Sequence, residues 1–229
     1  MDEGSVSDLM NGSKAVKMPK KQQIYFTSDW HIGHEAVLEF SKRPFSSVKS
    51  MSEGLISRYN ATVPPEGTCF FLGDMGLCTA DALSEVLKQL NGIKVCILGN
   101  HDRGAVAMKQ LGFDLVLSGA SLFIGNELVT LTHCPLTGIV RENTEGMRGA
   151  QEGEAWHGEY RHAKFSTVDQ GQFHLHGHIH SPNRGKSTKI LGRQFDVGVD
   201  ANNYTPVSLS QIESWIAHTK REEADDTTD

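Results

Sequence analysis

The sequence predicts an α/β fold, and three observations carry the prediction. Apolar runs of four or five residues, the length of buried strands, recur between Ile24 and Leu98. The segments between them carry helical spacing, which is the pattern of βαβ units. Each run ends in Gly, Asp, Asn or His residues that a core would reject, and in open α/β sheets the crevice beyond the strand ends is where sites form.

Ile24-Tyr25-Phe26-Thr27 reads as the first buried strand, with helical stretches near 35–41 and 51–60 after it. Thr68-Cys69-Phe70-Phe71-Leu72 is the second, entered from the turn at Pro64-Pro65-Glu66-Gly67. Thr79 is a good N-cap for a helix running to about Leu90, which Asn91-Gly92 would stop. Lys94 to Leu98 forms a third strand. The pattern then changes: Leu115 to Val129 looks like hairpin material turning at Gly125-Asn126, and Leu128 to Leu131 leads into Thr132-His133. Phe173 to His180 and Phe195 to Val199 read as further strands. A closing amphipathic helix spans Ser208 to about Thr219, capped by Ser208 or Ser210, with Ile212, Trp215 and Ile216 on one face.

Composition fits one domain with tails. With glycine counted and tyrosine left out, the apolar share is about 46%, an ordinary globular value. A chain of 229 residues can bury a sizeable core. No window approaches 18 consecutive apolar residues, so no membrane span is expected. The N-terminus shows no secretory apolar region and the four cysteines form no C-x-x-C pair, which together predict reduced thiols and a cytoplasmic location. Residues 1–22 read as a disordered arm and 222–229 as a frayed acidic tail, leaving a domain over 23–221. Within it 138–172 is polar, Gly-rich and long for a loop, so it reads as an insertion near a site. Of the formal net charge of −6, the tail carries −5 and the arm +1, so the body is close to neutral at −2. That argues against a protein held to nucleic acid by phosphate contacts.

Eleven histidines are the unusual count, and several stand where strands end. The first strand is followed by Ser28-Asp29-Trp30-His31, the second by Gly73-Asp74 and the third by Gly99-Asn100-His101-Asp102. Thr132-His133 and Gly177-His178-Ile179-His180 complete the set. Carboxylate, amide and imidazole without thiolate suit Mn, Fe, Zn, Co or Ni better than Ca or structural Zn. Asp29 with His31, and His178 with His180, stand two residues apart, so on an extended chain each pair points one way and reaches one metal. Glycines 73, 99 and 177 allow the backbone to approach closely beside those groups. Any one of these motifs is weak alone, whereas all five in order after strands are specific. His34 is either a substrate-phosphate contact or a helix-start residue. Arg43 is either a phosphate contact or a cap on local structure, and Arg103 is a candidate phosphate contact. His174 and His176 read as packed within their strand.

Asp29-x-His31, Gly73-Asp74, Gly99-Asn100-His101-Asp102, His133 and Gly177-His178-x-His180 resemble the calcineurin-like metallophosphoesterase superfamily over roughly residues 24–216. Arg43-Pro44-Phe45 and Val197-Gly198-Val199-Asp200 through Tyr204-Thr205-Pro206-Val207 are similar to a small bacterial and phage branch of it. The resemblance implies a four-layer α-β-β-α sandwich with a two-metal site, manganese being the first expectation for both ions. It places Asp29, His31 and His180 on one metal, Asn100, His133 and His178 on the other, and Asp74 between them. It places His101 beside the site as the catalytic acid, oriented by Asp102. The implied reaction is phosphoester hydrolysis by a hydroxide held between the metals. Few cations stand near the motifs, so a diester substrate such as a 2′,3′-cyclic nucleotide is expected ahead of a phosphomonoester. A nuclease, or a non-catalytic scaffold that would be expected to have lost such ligands, fits less well.

Overall fold

A computed structural model describes residues 23–136, 164–181 and 193–226. The arm 1–22 and the insertion up to residue 163 lie outside them. The chain forms two sheets. The first contains β1 (Ile24–Thr27), β2 (Thr68–Phe71), β3 (Ile93–Ile97), β4 (Leu115–Leu117) and β9 (Val207–Ser208) in the order β4-β3-β2-β1-β9. β1 to β4 run parallel, and β9 closes the edge antiparallel to β1. The second contains β5 (Ala120–Ile124), β6 (Glu127–Leu131), β7 (Phe173–His176) and β8 (Gln194–Asp196) in sequence order. β5 and β6 form the expected hairpin, with Gly125 at φ +60° in the turn, while β6, β7 and β8 are parallel.

Helices α1 (Ala36–Phe40), α2 (Val48–Thr62), α3 (Ala80–Lys88) and α4 (Ala105–Leu111) accompany the first sheet. Their apolar faces meet one side of it in a core containing Met51, Leu55, Tyr59, Leu83, Leu87 and Met108 against Cys69, Phe71 and Cys96. Phe26, Leu72 and Ile97 face the other way, into a core shared with Val129, Leu131, Phe173 and Leu175 of the second sheet. α5 (Leu209–Asp226) sends Ile212, Trp215 and Ile216 into this same core.

Local signals explain most of the elements. Ser47 caps α2 through a reciprocal box with Ser50, and Thr79 caps α3 by accepting from the Ala82 N–H. Ser208 accepts from Gln211 N–H while the Gln211 side chain returns to the Ser208 N–H, which starts α5. Three elements depart from the sequence reading. Leu115–Leu117 is not part of the hairpin but a separate strand paired with β3. α4 was not expected from the sequence pattern, being a single short amphipathic stretch. α5 runs past Thr219 to Asp226, so part of the acidic tail is helical, and Glu223 is held by a two-pronged contact from Arg193. Among the described residues no helix is long and apolar enough to cross a membrane, and the four cysteines form no disulfide.

Candidate metal centre

The carboxyl ends of β1, β2, β3, β6 and β7 meet at one place. Asp29 and His31 follow β1, Asp74 follows β2, Asn100 and His101 follow β3, His133 follows β6, and His178 and His180 follow β7. Backbone hydrogen bonds continue the β1–β2 pairing into this region: Asp29 N donates to Gly73 O at 3.1 Å and His31 N to Asp74 O at 3.0 Å. Gly177 N donates to His133 O at 2.9 Å and so ties the β6 and β7 ends together.

The two residue pairs do converge, but not by strand parity. Asp29, His31, Asp74, His178 and His180 all have positive φ, between +47° and +72°. Side chains rarely adopt this region, and each such residue costs of order 1 kcal/mol or more. The expectation of an extended Asp-x-His and His-x-His is therefore corrected: alternate left-handed residues, not strand parity, bring both side chains of each pair to the cluster. Five strained residues in one cluster point to a functional constraint. Close backbone approach makes room for them. A side chain at Gly177 would strike Ser28 Oγ and Asp29 Oδ2, and one at Gly99 would strike the Asp74 carboxylate.

Asp74 is the centre of the cluster. Its Oδ2 stands 3.3 Å from His133 Nε2, 3.6 Å from His31 Nε2 and 4.0 Å from His101 Nε2. His180 Nε2 is 3.1 Å from His31 Nε2 and 3.9 Å from Asp29 Oδ1. His133 Nε2 is 2.9 Å from Asn100 Oδ1. Atoms bound to one ion at about 2.0–2.1 Å lie roughly 3.0–3.4 Å from each other, so several of these spacings match edges of a coordination sphere. The two facing imidazole nitrogens are joined by an N–H···N hydrogen bond or by a shared metal. Asp29, His31 and His180 form one group of ligand atoms within 4.8 Å, and Asp29, Asp74 and His133 form another. A third group joins His133 and His178 with Cys134, so the cluster offers donor sets able to hold divalent metal.

Burial and charge set the protonation of these groups. Burial first, then His180, pushes His31 down to about 2, so it offers a neutral imidazole. Burial would also depress His133, but Asp74 outweighs it and holds it at about 9. Burial would raise Asp74, yet His133 and His31 keep it below the usual carboxylate range. The folded chain thus holds an anion at its centre with imidazoles around it.

Two residues expected at the chemistry prove to be supports. The Asp102 carboxylate does not orient His101. It accepts from the backbone N–H of Gly99 and Met75 at 2.9 Å and of Asp74 at 3.0 Å, and so welds the loops after β2 and β3 together. Arg43 is 4% exposed and cannot hold substrate. Its Nε and Nη2 grip both oxygens of Asp200 at 2.9 and 2.7 Å, and its nitrogens reach the carbonyls of Trp30 and Asp29 at 2.9 and 2.6 Å. Asp200 Oδ2 in turn lies 2.7 Å from His180 Nδ1. That contact fixes the ring with Nε2 toward the centre. Burial would lower His180, but the Asp200 hydrogen bond together with the charges of Asp29 and Asp200 outweighs it and raises it.

At the mouth, the His101 side chain is 45% exposed, while its N–H donates to Asp74 Oδ1 at 2.9 Å. His34 Nδ1 is 3.4 Å from His31 Nδ1. Arg103 is exposed and donates to the Cys78 carbonyl at 2.7 Å. The described end of the insertion returns to the site, where the Phe165 ring lies 6.4 Å from that of His133. His174 and His176 are buried in the second sheet as expected, with His174 bonded to Thr132 and Gln194. The sequence reading missed the support role of Asp200, although it noted the stretch that holds it. It also gave Cys134 to packing, whereas its thiol lies within 4.8 Å of ligand atoms of His133 and His178.

Fold and site together define a class: a two-sheet α/β protein with a strained His/Asp centre, able to hold divalent metal, where the strands of both sheets end. No family model matches the chain. It is 30% identical over 203 residues to the Gene 66 protein of Mycobacterium phage L5, covering 87% of this chain and 96% of that one. The chain belongs to the family of these mycobacteriophage Gene 66 proteins. An uncharacterized protein of Methanocaldococcus jannaschii is 39% identical over 84 residues, 36% of this chain, and the match spans about half, 48%, of that protein. A solved structure from Aquifex aeolicus, titled a protein of unknown function, shares the fold with a TM-score of 0.62 at 23% identity, covering 85% of this chain and 99% of that one.

Proposed function

We propose that the chain is a two-metal phosphoesterase that cleaves phosphodiesters, nucleoside 2′,3′-cyclic phosphates among them, in the cytoplasm. One observation carries the reading: the buried Asp74 carboxylate stands 3.3 Å from His133 and 3.6 Å from His31, with a half-exposed imidazole, His101, 4.0 Å away. Asp29, His31 and His180 would hold one divalent ion and Asn100, His133 and His178 the other, with manganese the first candidate and iron, zinc, cobalt or nickel the alternatives. When bound, such ions supply an activated water and neutralise charge on phosphate oxygens. The protein's own residues do the rest. Asp200 and Arg43 hold His180 in one orientation. Asp102 holds the backbone that carries Asp74. The half-exposed His101, its Nε2 4.0 Å from Asp74 Oδ2, would protonate the leaving oxygen. Arg43 is turned from the substrate surface by its two-pronged contact with Asp200, which removes one candidate clamp for a terminal phosphate dianion and supports the diester reading.

The test is hydrolysis of bis-p-nitrophenyl phosphate, p-nitrophenyl phosphate and 2′,3′-cyclic nucleotides, each with Mn²⁺ and with other divalent metals, alongside metal content by elemental analysis. Clear preference for the monoester would replace the diesterase with a phosphatase, and a purified protein that takes up no divalent metal would end the reading. His101→Ala should keep both metals and lose turnover by on the order of 10²–10⁴-fold. An emptied site in that variant would make His101 a ligand instead.

A further inference from the structure

Beside the centre stands a side chain that neither the fold nor the metal chemistry requires. Phe40 ends α1 and is 57% exposed, although Val37 in the same short helix is fully buried. Its ring lies 5.3 Å from that of His180, nearly perpendicular to it, and 5.9 Å from that of His34. His34 in turn stacks at 5.3 Å on His31. A large apolar ring is thus kept in water at the rim of a polar site, against a proposed metal ligand.

The ring is also held in place before any ligand arrives. Ser41 N–H donates to Val37 O at 3.1 Å and Arg43 N–H to Leu38 O at 3.0 Å. Ser41 Oγ lies 3.3 Å from His180 Nδ1, and the Arg43 side chain anchors the far side of the turn to Asp200. The segment that presents Phe40 is therefore bound on both sides to the support of a proposed metal ligand. Little ordering would be needed for the ring to receive a partner. The most exposed phenylalanine of the described residues, Phe123 at 78%, has no such setting: it pairs with Leu128 on the β5–β6 hairpin.

We propose that Phe40, flanked by His34, is a stacking platform for the nucleobase of the substrate, so that the site selects nucleotide phosphoesters over those lacking a base. The inference rests on the phosphoesterase reading for the phosphate half of the ligand. Base–aromatic stacking needs a π-face and tolerates sequence, so it would favour nucleotides as a class.

The experiment separates the two ideas. Binding to the Mn²⁺-loaded protein is measured by calorimetry for the methylene phosphonate analogue of AMP, which cannot be hydrolysed, and for its abasic ribose counterpart. Hydrolysis of bis-p-nitrophenyl phosphate is measured on the same preparations. The adenosine analogue should bind more tightly than the abasic one by roughly 5- to 100-fold, the range that base stacking supplies. Phe40→Ala should erase that gap and Phe40→Trp should keep it, while Phe123→Ala changes neither affinity. A gap that survives Phe40→Ala, an equal loss for both ligands, or a wild-type protein that binds neither would overturn the platform. A wild-type protein that shows the gap but hydrolyses no ester would instead overturn the phosphoesterase reading and leave the platform standing.

Discussion

The loop after β1 and the loop after β7 place ligand residues two apart, and both do so with alternate left-handed residues. They are held in different ways. The β1 loop is fixed by main chain: Asp29, His31 and Ile32 donate in turn to Gly73, Asp74 and Met75, extending the parallel pairing of β1 and β2. The β7 loop leans on side chains. His178 N–H donates to both oxygens of Asp29 at 3.1 and 2.9 Å, and His180 is held by Asp200, which Arg43 holds. The first loop is thus part of the sheet, while the second is docked onto it by charged groups. The difference teaches that one half of the centre is set by strand pairing and the other by an ionic support that single substitutions can remove.

The comparison can be broken most forcefully at the residue both halves share. Asp74→Ala should empty the centre and lower turnover by on the order of 10³-fold or more. Elemental analysis showing two retained metals would refute the bridging position. The support comes next. Arg43→Ala leaves Asp200 buried without its cation and should cost about 3–5 kcal/mol in denaturant unfolding. Asp200→Asn keeps the shape, and should lower metal affinity or activity by about 10- to 100-fold. Full metal content and activity in Asp200→Asn would show that the β7 loop does not depend on that support and erase the distinction between the loops.

Asp196 sharpens the comparison through pH. Burial first, then Asp29, raises its carboxyl from 3.8 to about 7. The folded chain therefore keeps this proton up to a higher pH than the unfolded one. Its contribution to stability is present at low pH and declines as pH rises from about 4 through 7. Asp196→Asn should stabilise the metal-free protein relative to wild type more at pH 8 than at pH 5, by roughly 3 kcal/mol. A difference that is the same at both pH values would refute a buried, raised carboxyl. The smallest effect lies far from the site, in the half set by local rules: Thr79→Ala should cost about 1 kcal/mol by removing the α3 cap, with metal binding unchanged. Loss of metal in that variant would show that the helix layer and the centre are coupled.

The first sheet was legible because its strands are short apolar runs with capped helices between them, and each rule there is local. Leu115–Leu117 was not, since an apolar triplet looks the same whether it pairs with β3 or with a hairpin neighbour. At the centre the polar residues were legible by type and position. Arg43 stayed open between phosphate and local structure, and Asp102 was misassigned, because a charged side chain near a motif carries no mark of whether it faces substrate or backbone. Asp200 stands 157 residues from Arg43, and no local pattern links the two.

By itself the sequence determined which segments are strands and helices and which chemistry collects at their ends, because periodicity, capping and residue type act over a few neighbours. Only the tertiary structure decided how those groups face one another. The left-handed turns at Asp29, His31, Asp74, His178 and His180, the Arg43–Asp200–His180 support and the exposed ring of Phe40 depend on packing between distant segments. That packing stabilises conformations that the local chain would not choose.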